Sequence, residues 1–147
     1  MTSGVVLDCG DGVCHSTAVF EGYSISNATN RIDIGGRDVT QRLQMLMRRS
    51  GYAFHTSSEF EIVRKIKETH CMLNTSSKQA MGAGDNTVET ITYKMPDGND
   101  IKLKQEVQDA PEILFKPELV GLEYPGVHEI LYNTIMKCDV DLRKTLF

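Results

Sequence analysis

The stretch LDCGDGVCH, residues 7–15, decides how this sequence is interpreted. It places two aspartates and two glycines within five positions, and a histidine follows shortly after. Asp-Gly between two strand-like segments is typical of a tight hairpin turn, because glycine adopts a positive φ without steric cost. The same turn can also direct consecutive backbone N–H groups at one point and so bind an anion. The residues alone leave both interpretations open.

A phosphate ligand would account for the carboxylates beside these glycines. Asp8 and Asp11 would repel a bare phosphate, but a divalent cation with its water ligands can lie between the carboxylates and the phosphate. His15 follows Asp11 by four residues and lies within reach of the same turn on the outgoing strand. A neutral imidazole there can hold a water molecule near a terminal phosphate. The pattern therefore favours a metal role for the two aspartates and a water-positioning role for His15.

The composition describes one globular domain or one large piece of a bigger one. Of the 147 residues, 40% are apolar and 24% are charged, which are ordinary values for a folded domain. The formal net charge of −4 and the lack of a long basic run argue against a nucleic-acid-binding surface. The apolar runs are far shorter than the roughly 20 residues of a membrane-spanning helix. We therefore expect no nucleic-acid partner and no membrane insertion.

The four cysteines indicate a reducing compartment. Cys9, Cys14, Cys71 and Cys138 form no C-x-x-C pair and no cysteine–histidine set with zinc spacing. Scattered thiols of this kind are typical of cytosolic or nuclear proteins. The chain also starts directly in an apolar strand-like segment and stops at an apolar pair, residues 146–147, so we expect an excised fragment.

Strand signals are concentrated in the first part of the chain. Apolar runs and alternation predict strands at residues 5–7, 13–23, 27–34, 89–95 and 101–104. The first of these is expected to be buried, and the first three follow closely enough to form an antiparallel meander. The last two flank residues 96–100, whose Pro-Asp-Gly-Asn-Asp sequence is typical of a hairpin turn.

Helix signals follow the meander and recur near the end of the chain. Helical spacing predicts helices or helical turns at residues 37–50, 58–71, 111–115 and 126–138. Gly51 is a fitting stop for the first helix, and Ser58-Glu59-Phe60-Glu61 fits a capping box for the second. Asp139 can cap a final helix, and residues 74–87 are expected to form a loop. The fold class predicted by this order is mixed α/β.

Several separate segments of the sequence carry a family resemblance. They are GVVLDCGDGVCHS (4–16), IDIGGRDVTQRL (32–43), EFEIVRKIKETHC (59–71), MPDG (95–98) and GVHEILYNTIMKCDVDLRKTLF (126–147). Taken in order, they resemble the actin family over nearly all 147 residues. HTSSEFEIV and DVDLRKTLF are similar to centractin-type actin-related proteins, whereas MKCDVD is similar to conventional actin.

The resemblance implies part of the ribonuclease-H-like actin ATPase fold, covering well under half of a complete actin. Residues 1–35 would be the first part of subdomain 3 with the second phosphate loop. Residues 36–126 would be the inserted subdomain 4, and residues 127–147 would return into subdomain 3. The segment 121–126, with Leu122 exposed, matches an actin loop that contributes to filament contacts.

The resemblance also assigns roles at the glycine turn. In actins, the amides matching Gly10, Gly12 and Val13 hold the β- and γ-phosphates of ATP. The aspartates matching Asp8 and Asp11 contact the divalent cation through water, so Asp8 and Asp11 are carried over as metal residues. The histidine matching His15 helps to position the attacking water, which makes His15 and Asp11 the candidate catalytic residues.

The sequence departs from the usual actin pattern at two positions near the glycine turn, and a third position has an alternative explanation. Cys9 stands where actins usually carry a serine, and Cys14 stands where a threonine is usual. A thiol is a weaker hydrogen-bond partner than a hydroxyl group. Gly36 would lie beside the ribose by resemblance, although on its own it is better explained as a turn or packing glycine.

The second helix carries the predicted adenosine-binding residues. By resemblance, Arg64 and Lys67 lie against the adenine base and Glu68 accepts hydrogen bonds from the ribose hydroxyls. A cation over a π-face and a carboxylate on vicinal hydroxyls suit a nucleoside. Without the resemblance, Arg64 and Glu68 at i, i+4 would describe a solvated salt-bridge face.

The function implied by the resemblance is slow ATP hydrolysis coupled to filament assembly in the full-length protein. ATP or ADP with magnesium or calcium would be the cofactor, and the site would be incomplete and inactive in this chain alone. The partners would be further protomers and actin-binding or dynactin-like proteins in the cytoplasmic cytoskeleton. The alternative is a non-catalytic actin-related scaffold subunit of a larger complex, dynactin-like or nuclear. A sugar kinase or heat-shock-chaperone ATPase is disfavoured by the actin-specific segments.

Overall fold

The computed structural model describes residues 2–73 and 90–147, and the chain divides into two compact units. The first unit comprises Met1–Asp38 and Ile113–Phe147, and the second comprises Val39–Glu112. The predicted loop at residues 74–87 lies outside the described residues. The predicted subdomain limits at 35/36 and 126/127 stay a prediction.

The described residues form a mixed α/β structure, as the sequence predicts. In chain order the elements are β1 (Gly4–Cys9), β2 (Cys14–Phe20), β3 (Tyr23–Ile32), α1 (Gly36–Arg49), α2 (Ser57–His70), β4 (Ile91–Lys94), β5 (Asp100–Leu103), α3 (Glu106–Asp109), two 3₁₀ helices (Pro111–Leu114 and Pro117–Val120), α4 (Val127–Met136) and α5 (Val140–Leu146).

The first unit contains a three-stranded antiparallel sheet in the order β1-β2-β3, so the predicted meander is confirmed. The prediction of one strand over residues 13–23 is wrong at its end. Glu21 and Gly22 adopt φ values of 50° and 86° and reverse the chain, so Tyr23 already belongs to β3. Positive φ at both central residues is the geometry of the two-residue hairpin turns that match strand twist. Gly22 was the local signal for this turn.

The expectation that β1 is buried is also wrong. Val5 packs against the core of the first unit, but Val6 is 56% exposed. The cause is the two-residue period of a strand, which points neighbouring side chains to opposite faces. Val5 and Val6 therefore lie on opposite faces, and the run of apolar residues in β1 is not buried on both.

Helices α4 and α5 cover one face of this sheet. Their shared core with the sheet consists of buried side chains from both layers: Ala18, Ala28, Ile135, Cys138 and Leu146. Thr134 on α4 is fully buried, and its hydroxyl accepts a hydrogen bond of 2.7 Å from Asn30 Nδ2 on β3 while donating to Ile130 O. Because both polar groups are paired, this contact fixes the helix on the sheet without a desolvation penalty.

Helix α4 begins where the sequence predicts, at the N-cap residue Gly126, but it ends at Met136 rather than at residue 138. The Glu129 carboxylate accepts from Gly126 N at 2.8 Å. A Cβ atom on Gly126 would lie 2.2 Å from Phe115 O, so only glycine fits this entry point. Asp139 occupies the N-cap position of α5, but its side chain makes no capping hydrogen bond.

The second unit contains α2, α3 and the β4–β5 hairpin, together with most of α1. Helix α1 ends as predicted, because Gly51 at φ 95° donates to Arg48 O. The hairpin is confirmed as well: Met95 N donates to Asn99 O at 2.8 Å, and Gly98 has φ 90°. A positive φ is what the turn requires of glycine at this position.

The capping box of α2 lies two residues before the predicted one. The N-cap residue is Thr56, whose hydroxyl accepts from Glu59 N at 3.2 Å, while Glu59 Oε2 accepts from Thr56 N at 2.8 Å. Oε2 also accepts from His55 N at 2.7 Å. Thr-Ser-Ser-Glu places the capping residue three positions before a glutamate. A cap at Thr56 also lets the helix begin two residues earlier than a cap at Ser58 would.

Candidate functional site

The glycine turn of residues 10–13 lies directly on the N-terminus of α1. Gly36 N donates to Gly10 O at 3.0 Å, and Arg37 N donates to Asp11 O at 2.8 Å. The first N–H groups of a helix have no partner inside the helix, so these two contacts satisfy them. The turn between β1 and β2 is thereby held against the start of the helix that follows β3.

Gly35 makes this close approach of turn and helix possible. A Cβ atom at Gly35 would lie 2.6 Å from the carbonyl oxygens of both Gly10 and Asp11. Separations below about 3 Å to backbone atoms require the backbone to move. Asp38 completes the corner, since its Oδ2 accepts from Gly35 N at 2.8 Å. Sequence reasoning singled out Gly36 and missed Gly35, for which the Gly-Gly pair was the available signal.

The turn itself does not use the positive φ that the Asp-Gly pattern suggests. Gly10 N donates to Val13 O at 2.8 Å, yet neither Gly10 nor Gly12 has a positive φ. The turn does join β1 and β2 as a hairpin, and only the expected positive φ of its glycines is wrong. A Cβ atom at Gly12 would meet nothing within 4 Å. Neither backbone conformation nor packing among the described residues explains why Gly12 is glycine.

The turn has backbone donors for which the described protein supplies no acceptor. Within the described part of the chain, the N–H groups of Asp11, Gly12 and Val13 donate to no protein acceptor. Open space at the Cβ position of Gly12 lies beside these three consecutive amides. Consecutive backbone amides of this kind bind anions, and a missing Cβ lets the anion approach closely.

Both aspartates of the turn are exposed and have one cationic or ionisable neighbour. Asp8 Oδ2 lies 3.4 Å from His15 Nε2, because Asp8 and His15 are directly opposite in the β1–β2 register. Asp11 Oδ2 accepts from Arg37 Nε at 3.1 Å and from Arg37 Nη2 at 2.8 Å. The sequence thus predicted the contact of His15 with the turn, but it missed Arg37.

The donor set fits a hydrated divalent cation with its phosphate better than a cation bound by protein alone. Among residues 2–73 and 90–147, no group of three His, Cys, Asp or Glu side chains is placed to coordinate a metal directly. Two exposed carboxylates beside free amides suit a cation that keeps several water ligands and binds phosphate oxygens, as Mg²⁺ does. Asp8, Asp11 and the turn amides are the residues that would hold it.

The thiols at the base of the turn differ in exposure. Cys9 is exposed, whereas Cys14 is fully buried. Burial raises the pKa of Cys14 to about 12, and a side-chain hydrogen bond and the charge of Cys9 add to this effect. Cys14 is therefore a neutral thiol at pH 7.

The predicted adenosine residues all lie on α2, in the second unit, whereas the turn belongs to the first unit. Arg64 Nε lies 3.7 Å from Glu68 Oε1, so the i, i+4 pair is present. Glu61 is the closer partner of Arg64, with its Oε2 at 3.2 Å, and sequence reasoning missed it. Lys67 is half-buried one turn further along. Exposed pairs of this kind contribute little to stability, roughly 0.3–0.5 kcal/mol each.

Comparison with known proteins identifies the family of this chain. A family model described as Actin matches residues 1–147, the whole chain. The chain belongs to the actin family. An "Actin-like protein" from Neurospora crassa is 48% identical over 150 residues, which cover 99% of this chain and 40% of the fungal protein. The chain therefore spans less than half the length of that relative.

Membership of the actin family confirms the resemblance stated above and implies the actin ATPase fold. One detail of the filament-loop expectation is wrong, because Leu122 is half-buried rather than exposed. Its amide N donates to Pro117 O, and Gly121 before it has φ 76°, so the loop folds back on the preceding 3₁₀ helix. No helix in the described ranges combines the length and apolar character needed to cross a bilayer.

Proposed function

We propose that this chain forms the phosphate-binding wall of an ATP site in an actin-like protein. The observation that carries the proposal is the turn of residues 10–13, anchored on the start of α1, with three described amides that lack a protein acceptor and open space at Gly12. In this proposal the amides of Gly10, Gly12 and Val13 face the phosphates, although Gly10 N also donates to Val13 O. The close packing at Gly35 supports it, because it holds the turn rigid before a ligand binds.

The carboxylates of Asp8 and Asp11 are proposed to hold a magnesium or calcium ion through its water ligands. When bound, the cation would neutralise phosphate charge and so stabilise the transition state of phosphoryl transfer. Arg37 holds Asp11 through two contacts to Oδ2, which fixes that carboxylate at the edge of the turn. The catalytic role of Asp11 in this proposal is to keep the phosphates in position through the hydrated cation.

His15 is proposed to position the attacking water. Its Nε2 lies 3.4 Å from Asp8 Oδ2, and in this proposal that nitrogen stays toward the carboxylate. Nδ1 is then the nitrogen that can accept a hydrogen bond from water. Positioning accounts for much of the rate enhancement in phosphoryl transfer, so a small rotation of His15 would slow the reaction.

The nucleoside part of the site is proposed to lie on α2 and at Gly36. Arg64 and Lys67 would contact the adenine base, and Glu68 would accept from the ribose hydroxyls. The exposure of Arg64 and Glu68 supports the proposal, since both side chains are open to an incoming ligand. Gly36 would allow the ribose to approach the start of α1.

In the cell, the proposed role is that of a cytoplasmic, cytoskeletal actin-like ATPase that assembles into filaments with itself and binds actin-binding or dynactin-like proteins. A non-catalytic scaffold subunit of a larger complex is the second candidate. The observation favouring it is the burial of Cys14 as a neutral thiol, since Cys9 and Cys14 replace hydroxyl groups that would hydrogen-bond more strongly. Sedimentation of the complete protein with ATP separates the two roles, because only the first predicts pelleted polymer.

The cation proposal is tested with Asp11→Ala in the complete protein that carries this chain. We expect the Kd of magnesium-ATP to rise roughly tenfold or more, because an anchor of the hydrated cation is lost. Asp33→Ala is the matched control, since Asp33 is also an exposed aspartate paired with an arginine, Arg31. Its Kd should stay within about twofold of the parent value.

The same titration in EDTA separates a cation effect from a general one. Without divalent metal, Asp11→Ala should bind ATP at least as tightly as the parent protein, since the carboxylate then only repels phosphate. An unchanged Kd for magnesium-ATP in Asp11→Ala would contradict the metal assignment.

A further inference from the structure

Cys9 and Cys14 are direct cross-strand neighbours at the base of the glycine turn. The β1–β2 register places them opposite each other, immediately before and after the turn. Side chains of opposed residues project from the same face of an antiparallel sheet. The thiol of Cys9 is also one of the groups that raise the pKa of Cys14. The two sulfur atoms are therefore neighbours in space.

The hydrogen-bond pattern identifies the type of cross-strand pair. Gly10 N donates to Val13 O at 2.8 Å, so Gly10 and Val13 are a hydrogen-bonded pair. Because the two pair types alternate along an antiparallel ladder, the next pair outward, Cys9 with Cys14, is of the non-hydrogen-bonded type. The Cα atoms of such a pair are about 4.5 Å apart, within the range of about 4.4–6.8 Å found across disulfides.

Access to the pair is one-sided. Cys9 is exposed, and the Cβ position of neighbouring Gly12 opens into free space. Cys14 is fully buried beneath it and is shielded from direct attack by a dissolved reagent. The first reaction with an oxidant therefore takes place at Cys9, and Cys14 is placed to resolve its product.

We propose that Cys9 and Cys14 form a dithiol modification site that hydrogen peroxide closes to a disulfide across the base of the turn. This site goes beyond nucleotide binding and does not depend on it. Forming the disulfide requires little movement of the reduced chain, because the register already brings Cys9 and Cys14 within disulfide range.

The reaction takes place in two balanced steps. In the first, the Cys9 sulfur attacks one peroxide oxygen, the O–O bond breaks, and the departing oxygen takes up the thiol proton and leaves as water. Cys9 is now a sulfenic acid. In the second, the Cys14 sulfur attacks the Cys9 sulfur, the S–O bond breaks, and the leaving hydroxyl takes the Cys14 proton as a second water. Two thiols are oxidised, and one peroxide is reduced to two waters.

The closed disulfide would fix the two strands at the point where the turn begins. The turn residues between them carry the amides without a described protein acceptor and the Asp11 carboxylate. A bridge at this position would restrict their movement.

The site is tested by treating the 147-residue chain with hydrogen peroxide, blocking free thiols and analysing peptides by mass spectrometry. Trypsin releases Cys9 and Cys14 together, because Arg31 is the first arginine or lysine of the sequence. We expect this peptide to lose two hydrogen atoms and to become resistant to alkylation until it is reduced. Cleavage before Asp11 then separates the two cysteines into peptides that remain joined only by the disulfide.

Two comparisons test whether the folded register is responsible. Cys9→Ser should leave Cys14 as an alkylatable thiol, whereas the control Cys71→Ser/Cys138→Ser should still form the bridge at the parent rate. Unfolding the chain in guanidinium chloride should slow closure roughly tenfold or more, because the pair is then no longer held together.

Equal rates in the folded and unfolded chain would overturn the proposal. It would also be overturned by bridges from Cys9 to Cys71 or Cys138, or by Cys9 sulfinic acid beside a free Cys14. Nucleotide affinity is measured separately on the reduced protein, so a failure of ATP binding leaves the disulfide result unaffected, and the reverse also holds.

Discussion

Replacement of Gly35 by alanine tests the packing that holds the phosphate turn. The added Cβ would lie 2.6 Å from Gly10 O and from Asp11 O, and 2.7 Å from the Asp11 carbonyl carbon. Gly35 has no positive φ, so alanine tolerates its backbone conformation and the only cost is steric. The turn must move away from α1, and the hydrogen bonds from Gly36 N and Arg37 N to the turn are lengthened or lost.

The expected cost follows from these contacts. Overpacking a close backbone contact costs about 1–3 kcal/mol. Each of the two backbone hydrogen bonds contributes about 0.5–1.5 kcal/mol, and part of this is lost. We therefore expect Gly35→Ala to lower the free energy of unfolding of the chain by about 2–4 kcal/mol.

Gly12→Ala is the matched control, because its Cβ would meet nothing within 4 Å. Both variants make the same change in the unfolded chain, so the difference between them isolates the close contact at Gly35. The measurement is urea unfolding followed by far-UV circular dichroism. A Gly35→Ala chain within about 0.5 kcal/mol of Gly12→Ala would refute the reasoning. Gly12→Ala has a second use, since it should weaken ATP binding in the complete protein without destabilising the fold.

Three further predictions concern the cap of α2, the ribose contact and turnover. Hydrogen bonds from Thr56 N and His55 N lower the pKa of Glu59 below its ordinary value of 4.5, so its stabilising effect is present above that pH and is lost as the pH falls through the lowered pKa. Acid unfolding of Glu59→Gln should therefore be less steep than that of the parent, and identical profiles would exclude the cap. In the complete protein, Glu68→Ala should weaken ATP binding in calorimetry but leave inorganic triphosphate unaffected; equal losses would indicate a general effect on stability. The 147-residue chain alone should release no phosphate at an actin-like rate, because one wall leaves the phosphates exposed to water, and turnover in a phosphate-release assay would contradict this.

The sequence by itself determined the features that depend on neighbours along the chain. The Pro-Asp-Gly-Asn turn, the stop at Gly51 and the start of α4 at Gly126 were all predicted correctly. Each rests on the φ preference of one residue, on helical period or on a local cap, and these act over a few residues. The same holds for the actin resemblance, which rests on motifs and their spacing.

Errors arose where two local signals were both acceptable. Glu21-Gly22 was included in a strand, because alternation continued across it, and the cap of α2 was placed at Ser58 instead of Thr56. At Glu21-Gly22 the chain turns so that β3 pairs with β2, and at Thr56 the cap gains a glutamate three positions later. Local preference amounts to only about 1 kcal/mol, so such contacts decide between close alternatives.

Only the tertiary structure decided how the site is assembled. Gly35 is required because the carbonyls of Gly10 and Asp11 lie against it, and those residues are more than twenty positions away along the chain. The pairing of Arg37 with Asp11 has the same origin, since it exists only once the turn is seated on α1. The register that brings Cys9 to Cys14 likewise depends on the turn between them. These contacts join residues that are distant in sequence or fixed by a specific register, and no local preference encodes them.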